Sequence, residues 1–302
     1  RYPCAMTPPT PHARLRWRAA ALMLVAVALF ALMDAGLKTL SAHYPPFQVA
    51  AIRGASSLPF VLVWALATVG VTPLFRVRWR LHLFRGVMGV LMMATFVSAL
   101  RTLPLSTAYT IFFVAPLLIT ALSVPVLGER VGPRRWTAIV IGFAGVMVVL
   151  RPTGEGVLTF AGLAVLLSAL GYAVSAITVR VLARTDSTQS MVVWLMTSIA
   201  LGAGALAWPD WVPVAGGHGW LIAGIGLAGA LAQYAVTEAF RQGEASSIAP
   251  LEYTALLWGV LLDFSLWRVL PDGITWVGAA IIVFSGLYLL HRERVHVEAE
   301  HP

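Results

Sequence analysis

The sequence predicts an all-α, polytopic membrane protein of ten transmembrane helices, arranged as two inverted five-helix repeats with both termini cytoplasmic. Three observations carry that prediction. Of the 302 residues, 59% are hydrophobic and 11% are charged, more apolar material than a soluble core can bury. The apolar residues gather into runs of roughly 20, the length that crosses a bilayer at about 1.5 Å per residue. The arginines recur at the ends of alternate runs instead of forming one patch, so the net charge of +8 reads as a topology signal and not as a nucleic-acid surface.

Residues 1–17 read as a polar leader outside the fold. They hold Cys4, the single cysteine, so neither a disulfide framework nor a thiolate metal site can form. The first apolar stretch, Ala19 to Leu40, is long enough to span and lacks a small-residue cleavage context, so it reads as a retained helix over 18–41. Spans over 46–70, 83–101, 104–127 and 134–150 complete a first five-helix repeat, 18–150. Spans over 158–180, 188–208, 218–240, 245–268 and 273–291 form a second, 158–291, before a tail at 292–302. Connections such as 42–45 and 101–103 are short, so helices adjacent in sequence should pack antiparallel, with no room for an extramembrane domain.

One side carries Arg14, Arg16, Arg18, Arg76, Arg78, Arg80, Arg85, Arg130, Arg134, Arg135, Arg180, Arg184, Arg241, Arg292 and Arg294; the other has Arg101, Arg151 and Arg268. The positive-inside rule then makes both termini cytoplasmic, which requires an even number of spans. The stretch Ala108 to Val149 can be laid on Ala249 to Leu290, a pair of apolar runs joined by a short polar turn. Trp136 follows the first turn with Gly142 and Gly145 behind it, and Trp276 follows the second with Gly278 and Gly286. An odd number of spans per half inverts the repeats, and inverted repeats place a binding site near the midplane between them, as transporters do.

Leu105-Ser106-Thr107-Ala108, Ala115-Pro116-Leu117 and Gly128-Glu129-Arg130 in the first half, with Ala249-Pro250-Leu251-Glu252-Tyr253-Thr254 in the second, make the chain resemble the drug/metabolite transporter superfamily, in its ten-helix EamA branch. The resemblance runs from Ala20 to Arg294. One departure stands out: similar proteins often carry Gly-Glu before the last turn, where this chain has Arg268 and Val269 after Trp267. The resemblance implies a transporter of small organic solutes and does not choose among amino acids, nucleotide-like metabolites, vitamins and drugs, or between import and export.

Ionisable groups within spans cost at least about 2.5–3.5 kcal/mol at the bilayer centre, so each should face protein or water. Asp34 and Lys38 share a face of the first helix, and Arg53 lies at the depth of Asp34 on the second, which allows an Asp34–Arg53 ion pair. That pair reads either as a structural clamp or as a solute site, and Lys38, the only lysine, either contacts solute or snorkels to the surface. Glu252, two residues after Pro250, is the leading carboxylate for reversible protonation coupled to solute movement, with Asp34 and Asp263 as further candidates. Glu238 beside Arg241 reads as a solvated terminal pair. Uncharged candidates for the substrate pocket are Tyr109, Tyr172, Gln233, Tyr234, Tyr253 and Trp258, each set against ordinary packing or interface anchoring, as at Trp208, Trp211 and Trp220. Pro59 and Pro116 are candidate kinks, and Gly86 with Gly89 offers a close helix approach.

The expectation is a secondary transporter in the cell inner membrane, moving a small polar or zwitterionic metabolite (amino-acid, nucleoside or vitamin-like) by alternating access. Proton coupling, exchange and facilitated diffusion are all open. The alternatives are a broad-specificity exporter and, from another class, an intramembrane enzyme using carboxylates. His12, His43, His82, His218, His291, His296 and His301 all read as loop, end or tail residues, which argues against histidine-dependent catalysis. Neither a ring of like charges nor a filter repeat points to a channel. Expected partners are the lipid bilayer, a small organic solute and protons, without nucleic acid, cofactor or metal, in a monomer or a homodimer.

Overall fold

The computed structural model describes residues 11–129, 132–150, 160–243 and 248–285, and among these the regular elements are all helical. In chain order they are α1 (Pro11–Ser41), α2 (Pro46–Thr68), α3 (Thr72–Phe75), α4 (Trp79–Leu100), α5 (Leu105–Phe112), α6 (Val114–Leu127), α7 (Pro133–Leu150), α8 (Phe160–Leu182), α9 (Thr188–Ala207) and α10 (Gly219–Gln242). A 3-10 turn over Ala249–Thr254 leads into α11 (Ala255–Leu262), a π-helical segment over Asp263–Trp267 and the shorter apolar helix α12 (Gly273–Ser285).

Seven stretches are long and apolar enough to cross a membrane: Trp17–Ser41, Pro46–Thr68, Trp79–Leu100, Leu105–Leu127, Phe160–Leu182, Thr188–Asp210 and Gly216–Gln242. They coincide with the expected first to fourth and sixth to eighth spans. The chain is therefore a multi-pass membrane protein. Of the leader expected over 1–17, residues 1–10 lie outside the described residues, as do the start of the expected second repeat at 158–159 and the tail at 292–302, whereas 11–17 are not a separate leader but the first turns of α1. Outward surfaces are apolar, as lipid demands: Val63, Phe160, Leu201, Leu257 and Phe284 are exposed.

Two expectations about local structure need correction. The third span begins at Trp79 and not at 83, because Trp79, Leu81 and His82 already form the first turn, with backbone bonds back to Val77 and Arg78. His82, expected in a loop, and Arg85, expected at the arginine-rich surface, are therefore buried residues of α4. Pro116 does not kink a continuous fourth span; the helix stops at Phe112 and restarts at Val114. A proline lacks the N–H that would bond four residues back, and its ring would strike the Phe112 carbonyl. Placed in the first turn of α6, its missing donor costs nothing. Pro59, by contrast, sits inside an unbroken α2.

The bundle is assembled from three extensive helix pairings: α1 on α10, α4 on α8 and α2 on α9. Small residues allow close helix approach. A Cβ added at Gly54 would lie 2.6 Å from the Ala200 backbone nitrogen, and one at Gly89 would lie 2.7 Å from Leu195 Cδ1, so α9 lies close against α2 and α4.

Each end of the bundle has its own polar tie. At one end Gln48 donates from Nε2 to the Val212 carbonyl at 2.5 Å and accepts from the Val212 N–H at 2.9 Å. Tyr44 Oη meets His218 Nδ1 at 2.7 Å, beside exposed Trp208, Trp211 and Trp220. At the arginine-rich end Asp186, in the α8–α9 turn, accepts from the Arg78 N–H at 3.2 Å and meets His82 Nε2 at 2.8 Å. Burial pushes the Asp186 carboxyl up, but the hydrogen bonds from Thr185, His82 and the Arg78 backbone outweigh it and hold the group below the usual carboxylate value. Glu238 lies 3.8 Å from Arg241 at this end, as the sequence suggested.

Candidate functional site

Within the bundle a cavity is walled by α1, α2, α4, α5, α8, α9, α10 and the Ala249–Thr254 turn. It is concave and mostly apolar with a few polar groups, as small-organic sites are. On α1 the lining runs from Met23 to Asp34, on α8 from Ser168 to Val179 and on α10 from Gln233 to Phe240. The cavity thus extends from mid-bundle toward the arginine-rich end.

Six of the residues expected from sequence line this cavity: Asp34, Arg53, Tyr109, Tyr172, Gln233 and Glu252. They form two polar poles. At the first, the Tyr109 hydroxyl on α5 donates to Asp34 Oδ2 on α1 at 2.9 Å. At the second, the Tyr172 hydroxyl on α8 donates to Glu252 Oε1 in the 3-10 turn at 2.7 Å. Pro250, near the start of that turn, has no N–H to donate, which leaves the backbone there irregular and brings Glu252 inward. In each pair one carboxylate oxygen has a protein donor, and the other oxygen has no hydrogen-bond partner among the described residues.

The expected Asp34–Arg53 ion pair does not form: Arg53 is buried within α2 with no carboxylate in ion-pair distance among the described residues. Its Nε donates to Met33 Sδ at 3.3 Å, Nη1 to Met196 Sδ at 3.7 Å and Nη2 to Gln233 Oε1 at 3.5 Å. These acceptors hold the guanidinium between α1, α9 and α10, while Tyr109 takes the facing carboxylate oxygen. Arg85 supplies a second buried cation. It donates from Nε to Ser175 Oγ at 3.0 Å and from Nη1 to the Met191 carbonyl at 2.7 Å. Among the described residues neither arginine has a carboxylate within ion-pair distance, so both charges are compensated only by weaker acceptors and by whatever fills the cavity.

Sequence reasoning missed Arg85 by assigning it to the helix mouth. Helical spacing held the signal, since Arg85, Met92 and Phe96 recur at seven and four residues along one face, and all three line the cavity. Aromatic rings and thioethers form the remaining wall. Phe96 lies parallel to Tyr109 with centroids 6.4 Å apart, and Phe112 is tilted against Tyr172 at 5.4 Å. Such walls suit a flat, polarisable solute.

The other candidates lie elsewhere. Tyr234 packs on Trp64 at 4.8 Å between centroids, and Trp258 is partly exposed on α11. Tyr253 is buried against Phe113, its hydroxyl without a hydrogen-bond partner among the described residues. Lys38 and Asp263 meet each other at 3.3 Å, beyond the cavity.

Known proteins share this architecture. The chain is 31% identical over 278 residues to a riboflavin transporter of Vibrio cholerae serotype O1, covering 90% of this chain and 92% of that protein. It is 26% identical over 269 residues to the pseudopaline exporter CntI of Pseudomonas aeruginosa, covering 89% and 94%. Over 268 residues it is also 26% identical to an S-adenosylmethionine uptake transporter of Rickettsia conorii, covering 87% and 89%. A crystal structure of another protein superimposes with a TM-score of 0.68 at 23% identity, across 89% of this chain and 94% of that one, a likeness of fold alone. The sequence model of the EamA-like transporter family matches residues 17–151 and again 159–291. With both matches spanning the helices that wall the cavity, the chain belongs to the EamA-like transporter family.

Proposed function

We propose that the protein is a secondary carrier of the inner membrane that moves a flat, polar organic metabolite through the cavity by alternating access. Its arginine-rich end is cytoplasmic, and its ten spans form two inverted repeats, 18–150 and 158–291. The observation that carries this reading is the pair of polar poles. Each offers a carboxylate oxygen and a buried guanidinium with unfilled bonding capacity, across a wall of aromatic rings and thioethers. A solute with hydrogen-bond donors and acceptors at both ends of a planar body fits these demands.

Pairing supports the repeat. The contacts of α1 with α10 and of α4 with α8 exchange when the halves exchange, and α2 with α9 maps onto itself. Riboflavin is the first solute to test, because its planar ring system is polar at the pyrimidine end and carries a polyol chain, and because it is named for similar transporters of Vibrio cholerae and Rhizobium johnstonii. The exporter and uptake names among the relatives leave direction open, and a broad-specificity exporter is the second reading.

Coupling to protons is assigned to Glu252. A buried arginine, Arg53, bonds Met33 beside Asp34, whereas the one polar side chain bonded to Glu252 is the neutral Tyr172. On this reading the Glu252 charge is the one that changes during a cycle. Asp263 leaves the list of coupling carboxylates because four donors already hold it.

Purified protein in liposomes tests the reading through uptake of radiolabelled riboflavin, with S-adenosylmethionine as a parallel solute. Saturable uptake that falls at least about tenfold in Arg85→Met is the expected result. Absence of saturable uptake of either solute, together with no thermal stabilisation by a wider set of planar metabolites, would overturn the assignment of solute class.

A further inference from the structure

Beyond the cavity, at the end away from the arginines, one carboxylate gathers three elements. Asp263, the first residue of the π-helical segment, is fully buried. Its Oδ1 accepts from Lys38 Nζ at 3.3 Å and from the Leu105 N–H at 3.1 Å; its Oδ2 accepts from the Ser106 N–H at 2.7 Å and the Ser106 hydroxyl at 2.6 Å. Lys38 also lies over the Trp267 ring, 4.6 Å from its centroid. The end of α1, the start of α5 and the end of α11 are thus pinned at one point. Gly259 permits this convergence, since a Cβ there would sit 2.7 Å from Tyr109 Cδ2 and 3.3 Å from the Ser106 Cα.

The cavity stops short of this knot: on α1 its lining ends at Asp34, one turn before Lys38. At the other end Asp186 and His82 form a buried tie of their own at 2.8 Å, and Arg180 lies 3.9 Å from Glu129 with both side chains partly exposed. Part of the knot is a helix cap, because the Leu105 and Ser106 N–H groups are the unsatisfied donors of the first turn of α5. Capping does not account for Lys38. Holding a lysine and an aspartate out of water is costly, and a cap needs the carboxylate alone.

We infer that Lys38 and Asp263 form the latch that closes the outer end of the carrier, and that its parting exposes the cavity to the side opposite the arginines. The inference rests on the alternating-access reading and names the gate for it. Lys38 and Asp263 act as positioning residues that set which way the cavity opens. The π-helical turn suits this role, since such turns can change register without unwinding a whole helix.

The test uses side-specific labelling. Cys4 is the only cysteine, so a Cys4→Ser chain carrying Ala255→Cys places one thiol on the cavity wall. A small membrane-impermeant thiosulfonate is applied to oriented vesicles from either face. Lys38→Met leaves the α5 cap in place and is expected to raise the labelling rate from the outer face about tenfold, with a fall from the cytoplasmic face. Lys38→Arg should restore the wild-type asymmetry. An unchanged outer-face rate in Lys38→Met, or an equal rise from both faces, would overturn the latch and leave a purely structural pair. A rise confined to the cytoplasmic face would support the latch and overturn the proposed orientation. Failure of riboflavin uptake would leave this assay readable, so the gate and the solute stand or fall separately.

Discussion

The two halves solve the same problem with their residues exchanged. In the first, the acid is on α1 and the tyrosine on the broken fourth span, as Asp34 and Tyr109; in the second, the tyrosine is on α8 and the acid on the broken ninth stretch, as Tyr172 and Glu252. Both pairs bridge an intact helix to an interrupted one. When Ala108 is laid on Ala249, Val114 falls opposite Ala255, and these are the residues at which α6 and α11 begin after their interruptions. The halves therefore agree in where the backbone breaks and in which elements are bridged, while the chemistry at each bridge differs. Arg53 bonds Met33, next to the acid of the first pair, whereas Arg85 bonds Ser175, one turn from the tyrosine of the second. Under the proposed proton coupling, this symmetry of scaffold with asymmetry of charge assigns the fixed carboxylate to one pole and the switchable one to the other.

The sharpest way to break this comparison is to neutralise each acid in turn. Glu252→Gln should abolish the response of riboflavin uptake to an imposed pH gradient while leaving exchange measurable. Asp34→Asn should retain the response and raise KM about tenfold through loss of a charge-assisted contact. Equal loss of the response in both variants would make the poles equivalent and remove the distinction drawn from Arg53.

A second prediction concerns the backbone breaks. Gly259→Ala pushes a methyl into Tyr109 and the start of α5, so it should destabilise the protein by about 1–3 kcal/mol in a detergent melt. Gly128→Ala should cost about 1 kcal/mol through backbone strain alone at φ 72°, since its added Cβ would meet nothing within 4 Å. The ninth stretch has the converse problem. It ends at Arg268 in a left-handed conformation, φ 57°, the conformation that Gly128 adopts at the end of α6. Arg268→Gly should relieve about 1 kcal/mol of strain, offset in part by the lost contact with the Phe264 ring at 5.4 Å, and the melting temperature reads the difference.

The smallest effect separates the turns that join the first two helices of each half. Tyr44 anchors the α1–α2 turn through a hydroxyl, and Asp186 anchors the α8–α9 turn through a carboxylate. A carboxylate held below its unfolded value contributes stability above that value and loses it as pH falls through the folded one. Acid titration of the melt, below the usual aspartate range, should therefore be less steep in Asp186→Asn than in wild type, with parallel curves near neutral pH where wild type keeps its full advantage. An identical slope would show that the turn contributes nothing through this charge.

How much of this was written plainly in the sequence depends on what lipid does to pattern. The positions of seven spans were legible because length and hydropathy alone decide them, and Asp34, Arg53 and Glu252 stood out because charge is rare at that depth. Which face of a helix meets the cavity was not legible. Lipid-facing and core-facing residues are both apolar, so Tyr234 and Trp258 could not be told from Tyr109 and Tyr172 by composition. Arg85 was hidden by a boundary placed four residues late, which turned a buried cation into one more surface arginine. Asp263 was visible as a buried acid, but its donors are backbone N–H groups of a helix more than 150 residues away in sequence, and no local pattern announces them.

The central claim is that a solute lies between the two acid–tyrosine pairs. A cryo-electron-microscopy structure of the full chain with riboflavin bound tests it most directly. The account predicts density for a planar ligand between Tyr109 and Tyr172, with polar edges at Asp34 and Glu252 and at least one guanidinium, Arg53 or Arg85, within hydrogen-bond reach. Ligand density on the outer surface or at another helix interface, with this cavity empty, would contradict it.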